Sequence, residues 1–352
     1  MALREETTPI RAGHEFDVAR FLDYLAARVP AIGADAQLHQ FRGGQSNPTF
    51  LIESGGRQFV MRKKPPGVLL PSAHAVDREY RIMKALGPTA VPVPEMLHLC
   101  EDDSIIGTAF YVMEGIEGRV IRDLTLQDLP PEGRAAIYDT MNRTLADLHM
   151  VDWRAAGLEG FGRPEAYLSR QVARWSRQYK ATEATPIPAM DRLMPWLERN
   201  LPAEDSAAIN HGDFRAENMI FHPTEPKVLA VLDWELATIG HPLADLAYNC
   251  LPWNVPADFP GIGGLRGIGA GHGIPSEADY VARYCERTGR SGIADWDYYI
   301  AFSLFRTAAI LQGVYARAVQ GTASNEKALE AGLLAGQAAD AAWEAAERHG
   351  AA

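Results

Sequence analysis

Three cysteines in 352 residues, with no C-x-x-C pair, set the first limits on this chain. Cys100, Cys250 and Cys285 match no metal-ligand spacing and are too few for a disulfide scaffold, so a reducing compartment is expected. No run approaches the roughly 18 apolar residues of a membrane helix. Residues 1–20 mix charges of both signs without an apolar stretch, unlike a secretory leader, and the expected location is cytoplasmic. Basic residues are also scarce. Lys and Arg number 34 against 45 Asp and Glu, and the net charge of −11 is the wrong sign for a nucleic-acid surface. The glycines of 261–273 never form G-x-G-x-x-G after a strand, and no G-x-S-x-G elbow occurs. His211, Asp213, His222 and His241 fit no zinc signature. Dinucleotide binding and zinc hydrolysis are thereby set aside.

What is present is a globular composition, 47% hydrophobic and 22% charged, long enough for two lobes. Residues 1–35 read as an N-terminal helical segment, with Phe16, Ala19, Phe21, Leu22, Leu25 and Ala26 at helical spacing before Pro30. Short β-rich runs follow at Leu38–Phe41, Thr49–Glu53 and Arg57–Arg62, the last two joined by a Ser54-Gly55-Gly56 turn. A helix over 73–86 and strands at Met96–Cys100 and Thr108–Met113 complete an N-lobe of residues 36–115. Residues 116–352 form a C-lobe of helices near 134–147, 165–179 and 190–199 and from Ser276 onward, with a helical insertion at about 160–200. Two strands, Met219–Phe221 and Val228–Leu232, interrupt them. The expected fold is α+β: a small β-rich N-lobe and a large, mainly helical C-lobe.

The chemistry lies in His211-Gly212-Asp213-Phe214-Arg215-Ala216-Glu217-Asn218 and in Asp233 beyond the next strand pair. Asp213 to Asn218 reproduces D-x-x-x-x-N, and Asp233 stands where the Asp of D-F-G would. Phosphoryl transfer from ATP needs a group to orient the attacking hydroxyl and oxygen ligands for Mg2+. Asp213 suits the first role, Asn218 and Asp233 the second. In the N-lobe, Gly43-Gly44-Gln45-Ser46-Asn47 lies between two strands, where Gly44, Ser46 and Asn47 could cover phosphates. Val60 and Arg62 alternate onto one face of the next strand, placing an Arg where a kinase has Lys; Lys64 shares that face by parity. Glu79 lies within the apolar stripe of its helix, where a carboxylate requires a partner, and Arg62 is the candidate. Met113, Glu114 and Ile116 fall where the hinge would meet adenine.

Together with His149-Met150-Val151-Asp152-Trp153 and Asp233-Trp234-Glu235, these residues resemble the aminoglycoside phosphotransferase superfamily, of protein-kinase-like fold. The resemblance is to the branch that also occurs fused to acyl-CoA dehydrogenases, and it runs from about Gln37 to the C-terminal helices. It implies Asp213 as catalytic base, Asn218 and Asp233 as Mg2+ ligands, Arg62 in place of the phosphate-contacting Lys, and Asp245 as a structural brace of the catalytic loop. Glu235 is left between metal and substrate.

Arg170, Arg174 and Arg177 recur on one predicted helix and Arg306 and Arg317 mark another, which hints at a pocket tolerant of anions. A site for polycations should gather carboxylates, yet 254–275 contains only Asp258. The branch resemblance implies a hydroxyl-bearing small molecule as acceptor, an acyl-CoA or comparable metabolite. An antibiotic kinase and a non-catalytic ATP-binding module stand as alternatives. Neither a nucleic-acid nor a membrane partner is expected, and the sequence fixes no oligomeric state.

Overall fold

Alternating apolar positions build the N-terminal sheet of the computed structural model, which describes residues 3–43, 47–65, 75–259, 262–268, 271–321 and 329–351. Strands β1 (Thr7–Thr8), β2 (Gln37–Phe41), β3 (Thr49–Ser54), β4 (Arg57–Lys63), β5 (Met96–Cys100) and β6 (Phe110–Glu114) pair antiparallel in the order β1-β2-β3-β4-β6-β5. Gly55 and Gly56 both take positive φ, +56° and +75°, the requirement of a two-residue hairpin matched to strand twist. Phe50, Ile52, Phe59, Met61, Phe110 and Val112 form one face and pack with Phe21, Leu22 and Leu25 of helix α1 (Val18–Ala26). The Asp17 side chain caps that helix by accepting the Arg20 amide at 3.0 Å. The opposite face carries Val60 beside Met113 and Arg62 beside Tyr111, each a cross-strand pair of β4 and β6. Helix α2 (Val76–Leu86) begins three residues later than the sequence suggested, and positions 73 and 74 lie outside the described residues.

Beyond residue 122 come helices α3 (Pro131–Met150), α4 (Tyr167–Ala181) and α5 (Pro188–Arg199), then strands β7 (Ala208–Asn210), β8 (Met219–Phe221), β9 (Val228–Val231) and β10 (Thr238–Gly240). Helices α6 (Pro242–Asn249), α7 (Leu251–Asn254), α8 (Glu277–Thr288), α9 (Trp296–Val319) and α10 (Ala331–Arg348) complete the chain. Strands β7 and β10 were not foreseen. Each has three residues, β7 is buried throughout, and the two pair only with each other, so no alternation marks them. Helix α3 starts at Pro131, earlier than the apolar stripe, because proline is favoured in a first turn.

Two compact units result. The first comprises Met1–Arg122, Asp152–Phe161 and Ala216–Ala237, so the β8–β9 hairpin folds with the N-terminal sheet. Helix α2 holds these pieces: Arg78 donates to the carbonyls of Phe161 (2.7 Å) and Ala237 (3.3 Å), and Arg81 to those of Gly157 and Glu159. The Val231 amide donates to Pro92 O at 2.8 Å, and Arg119 bridges to Phe221. The second unit comprises Asp123–Val151, Gly162–Arg215 and Thr238–Ala352 and is mainly helical, with α9 packed against α4, α5, α6, α7 and α10. Among the described residues no helix is long and apolar enough to cross a membrane.

Gly115, just past β6, is fixed by close approach: a Cβ there would lie 2.8 Å from the Gln58 carbonyl oxygen. Gly115→Ala should therefore destabilise by about 1–3 kcal/mol. Gly336 in α10 has open space at its Cβ position, and Gly336→Ala should stabilise by about 0.5–1 kcal/mol. Urea midpoints of the two variants against the parent check both signs.

Candidate active site

In the first unit the chemistry centres on one guanidinium. Arg62 projects from β4 with its side chain only 13% exposed, and Nη1 lies 3.2 Å from Glu79 Oε2. Nη2 lies 3.1 Å from Asp233 Oδ1 and 3.7 Å from Glu235 Oε2. Glu79 is buried at 1% exposure, accepting the Asn47 amide nitrogen at 2.9 Å and the Tyr111 hydroxyl at 3.0 Å. The ion pair expected within the apolar stripe of α2 is thus present. Arg62 Nε is buried with no acceptor among the described residues. Lys64, the other candidate cation, lies past the end of β4 and 3.9 Å from Asp77 at the surface.

Three carboxylates share this one cation. Burial pushes the Glu79 carboxyl up to about 7, with Asp233 and Glu235 adding to the rise and Arg62 and Tyr111 opposing it. Burial works against the charge of Arg62, but Tyr111, Glu79 and Asp233 outweigh it and hold the guanidinium above its ordinary range.

Asp233 reaches Arg62 from the β8–β9 hairpin. The Leu232 amide donates to Asn218 O at 2.8 Å, tying Asn218 to the strand end that delivers Asp233. Asp233 itself takes φ 64° and ψ 58°, a left-handed conformation uncommon outside glycine, Asn and Asp. Buried Trp234 anchors the turn through Nε1 to Val231 O at 2.9 Å.

In the second unit the loop after β7 is held through its backbone. Asp245 of α6 accepts the amides of His211 at 2.7 Å and Gly212 at 2.9 Å. His149 Nε2 lies 3.4 Å from the same carboxylate, and its Nδ1 is bonded to the Tyr284 hydroxyl at 2.6 Å. Burial opposes the charge of Asp245, yet the His149 contact and the His211 amide hold it below the usual carboxylate range. One turn on, the Tyr248 hydroxyl donates to Asp213 Oδ1 at 2.6 Å, and Asn249 donates to Phe214 O at 3.1 Å. Arg215 Nε lies 3.4 Å from Asp213 Oδ1, and the Asp213 side chain is 19% exposed. Arg306 of α9 donates to Gly212 O at 2.7 Å.

Of the residues selected from sequence, Asn47, Arg62, Glu79 and Asp233 meet in one cluster, and Val60 and Met113 are neighbours on the same sheet face. The amides of Glu114 and Gly115 are committed to Glu95 O and Gln58 O. Gly44 and Ser46 lie outside the described residues. Tyr111, Tyr248 and Asn249 were missed. Their signal was positional: Tyr111 is the cross-strand partner of Arg62, and Asp245, Tyr248 and Asn249 stand at i, i+3 and i+4 of one helix.

The sequence profile of the phosphotransferase enzyme family matches residues 37–297, and the chain belongs to that family. Acyl-CoA dehydrogenase family member 10 of Mus musculus is 50% identical over 315 residues, 89% of this chain and 30% of that protein. The chain spans less than half the length of the curated relatives it matches. A solved Ralstonia eutropha protein, provisionally named an aminoglycoside phosphotransferase, is 48% identical with a TM-score of 0.87, covering 95% of this chain and 99% of that one. An aminoglycoside phosphotransferase solved with AMP-PNP and hygromycin B is 16% identical with a TM-score of 0.59 over 92% and 97% of the two chains, a likeness of fold. The fold is protein-kinase-like, with a β-sheet N-terminal region and a helical C-terminal part.

The raised carboxyl of Glu79 gives a pH signature. A folded-state value above the unfolded one contributes stability that is complete below about 4.5 and is lost as pH rises through about 7. The stability of the parent relative to Glu79→Gln should fall across that window. Urea titrations at stepped pH check it; a difference that grows with pH contradicts it.

Proposed function

We propose that this chain is an ATP- and Mg2+-dependent phosphotransferase acting on the hydroxyl of a small-molecule acceptor, with hydroxyacyl-CoA thioesters as the favoured class. The observation that carries the reading is the buried Arg62–Glu79 pair with Asp233 on the same guanidinium. It matches the cation–glutamate pair that positions ATP phosphates in kinases, with Arg in the place of Lys. The acceptor class rests on the relation to acyl-CoA dehydrogenase family members and on the lack of carboxylates in 254–275, where only Asp258 occurs.

The donor set suits both magnesium and a nucleotide phosphate. Among the described residues no cluster of three His, Cys, Asp or Glu side chains could hold a metal unaided. Asn218 and Asp233 offer two oxygen donors, and magnesium is commonly held by one or two protein ligands completed by phosphates and water. When bound, the ion would neutralise charge on the transferring phosphoryl group. The buried, unpartnered Nε–H of Arg62 suits a phosphate oxygen. Val60 and Met113 offer apolar surface on the same face for adenine, and Ile116, with Glu114, the hinge backbone; Gly44, Ser46 and Asn47 belong to the phosphate-covering loop. Asp213 is assigned the proton of the attacking hydroxyl. Tyr248 fixes the carboxylate's rotamer by donating to Oδ1.

A second reading has its own support, since the Ralstonia protein carries an aminoglycoside phosphotransferase name. ADP release should be measured with hydroxyacyl-CoAs, aminoglycosides and simple alcohols as acceptors. Hydroxyacyl-CoAs should give turnover, and Asp213→Asn should lower kcat by about 100- to 10,000-fold. Efficient release with aminoglycosides alone would favour the second reading, and unchanged turnover in Asp213→Asn would remove the base.

A further inference from the structure

Two buried donors in the second unit, on Arg306 next to the Asp213 loop and on Trp175 next to Arg306, have no acceptor among the described residues. Arg306 donates through Nη2 to Gly212 O, but its Nε is buried and unpartnered. Its guanidinium carbon lies 5.0 Å from the ring centroid of Tyr248, whose hydroxyl is bonded to Asp213, and 5.6 Å from that of Trp175. Trp175, on α4, is 8% exposed, and its indole Nε1 is likewise buried without a partner. Arg174 lies over the same indole at 5.2 Å. Asp213, Tyr248, Arg306 and Trp175 thus form one contiguous row within the second unit.

Native folds rarely leave buried N–H groups unpaired, and each exception calls for a physical explanation. The tie to Gly212 explains one nitrogen of Arg306 and the ring contacts explain its orientation. Neither explains the Nε–H, and packing does not explain the indole N–H. The geometry points to Arg306 and Trp175 as specificity-determining residues that read an oxygen of the acceptor, a carbonyl or carboxylate a few bonds from the hydroxyl presented to Asp213. The inference rests on the assignment of Asp213 as base. It deepens that assignment by requiring an oxo group in the acceptor: a site with unpaired donors discriminates strongly against an analogue lacking the acceptor. A carboxylate and a thioester carbonyl share this chemistry.

The test uses the full chain with hydroxybutyrate isomers, their CoA thioesters and the matching butanediols. In heteronuclear NMR the Trp175 indole resonance, identified among seven tryptophans by its loss in Trp175→Phe, should move with the acids or thioesters and not with the diols. Movement with the thioesters alone identifies the carbonyl as the source, and movement with the acids alone the carboxylate. In turnover, Trp175→Phe should lose about tenfold in kcat/KM on the oxo acceptors and nothing on the diols. Arg306→Lys, which keeps the charge but not the Nε–H, should lose about 10- to 100-fold on the same acceptors. An indole unmoved by every oxo compound, or an oxo-over-diol preference equal in parent and Trp175→Phe, overturns the inference and leaves both donors to water. Asp213→Asn separates the two assignments. It should lower kcat by the same roughly 100- to 10,000-fold while the indole still moves, and an Asp213→Asn with unchanged turnover removes the base without touching the NMR result.

Discussion

A single buried guanidinium organises the first unit. Arg62 stands on β4 between Glu79 from α2 and Asp233 from the β8–β9 hairpin, so three segments distant in sequence are registered on one charge. Removing either partner of such a pair typically costs about 3–5 kcal/mol, because the remaining charge stays buried. Asn47 and Tyr111 complete the bonding of Glu79 and keep its carboxylate aimed at Arg62. The arrangement also carries an imbalance, one cation against Glu79, Asp233 and Glu235. In the proposed function that imbalance has a use: Asp233 brings a carboxylate oxygen where a divalent ion is wanted, and Arg62 keeps one donor for phosphate.

The second unit solves a different problem, the fixing of the loop that carries Asp213. Helix α6 does so with one face. Asp245 takes two consecutive backbone amides, Tyr248 takes the Asp213 side chain, and Asn249 takes the next carbonyl. The loop backbone is therefore held at both its donors and its acceptors. Arg306 adds a clamp on Gly212 O from α9. Buried polar networks of this kind are favourable only when their members are satisfied. The unpartnered Nε of Arg306 adjoins this network, which also holds the unpartnered Oδ1 of Asn210.

Much of this was legible in the chain. The D-x-x-x-x-N spacing and Asp233 carried the resemblance that gave the fold. Strand parity placed Val60 and Arg62 on one face, and the cost of a lone carboxylate in an apolar stripe pointed Glu79 at Arg62. What escaped was non-local. The β7–β10 pair is too short and too buried to alternate, and the hairpin's place in the first unit shows only in contacts far along the chain, the Val231 amide on Pro92 O and the pairing of Phe221 with Arg119. Tyr248 was passed over, because nothing in its neighbours announces a bond to Asp213 35 residues away. Lys64 shared the parity of Arg62, but Pro65 ends the strand and the lysine turns to Asp77.

The central claim is that Arg62, oriented by Glu79 and Asp233, is the cation that meets the nucleotide phosphates. Calorimetric titration of ATP with magnesium into the parent, Arg62→Met and Lys64→Met tests it most directly. The account predicts an affinity about 10- to 100-fold weaker in Arg62→Met, the scale of a lost charged hydrogen bond, and unchanged in Lys64→Met. Loss of affinity in Lys64→Met with Arg62→Met binding as the parent does would contradict it.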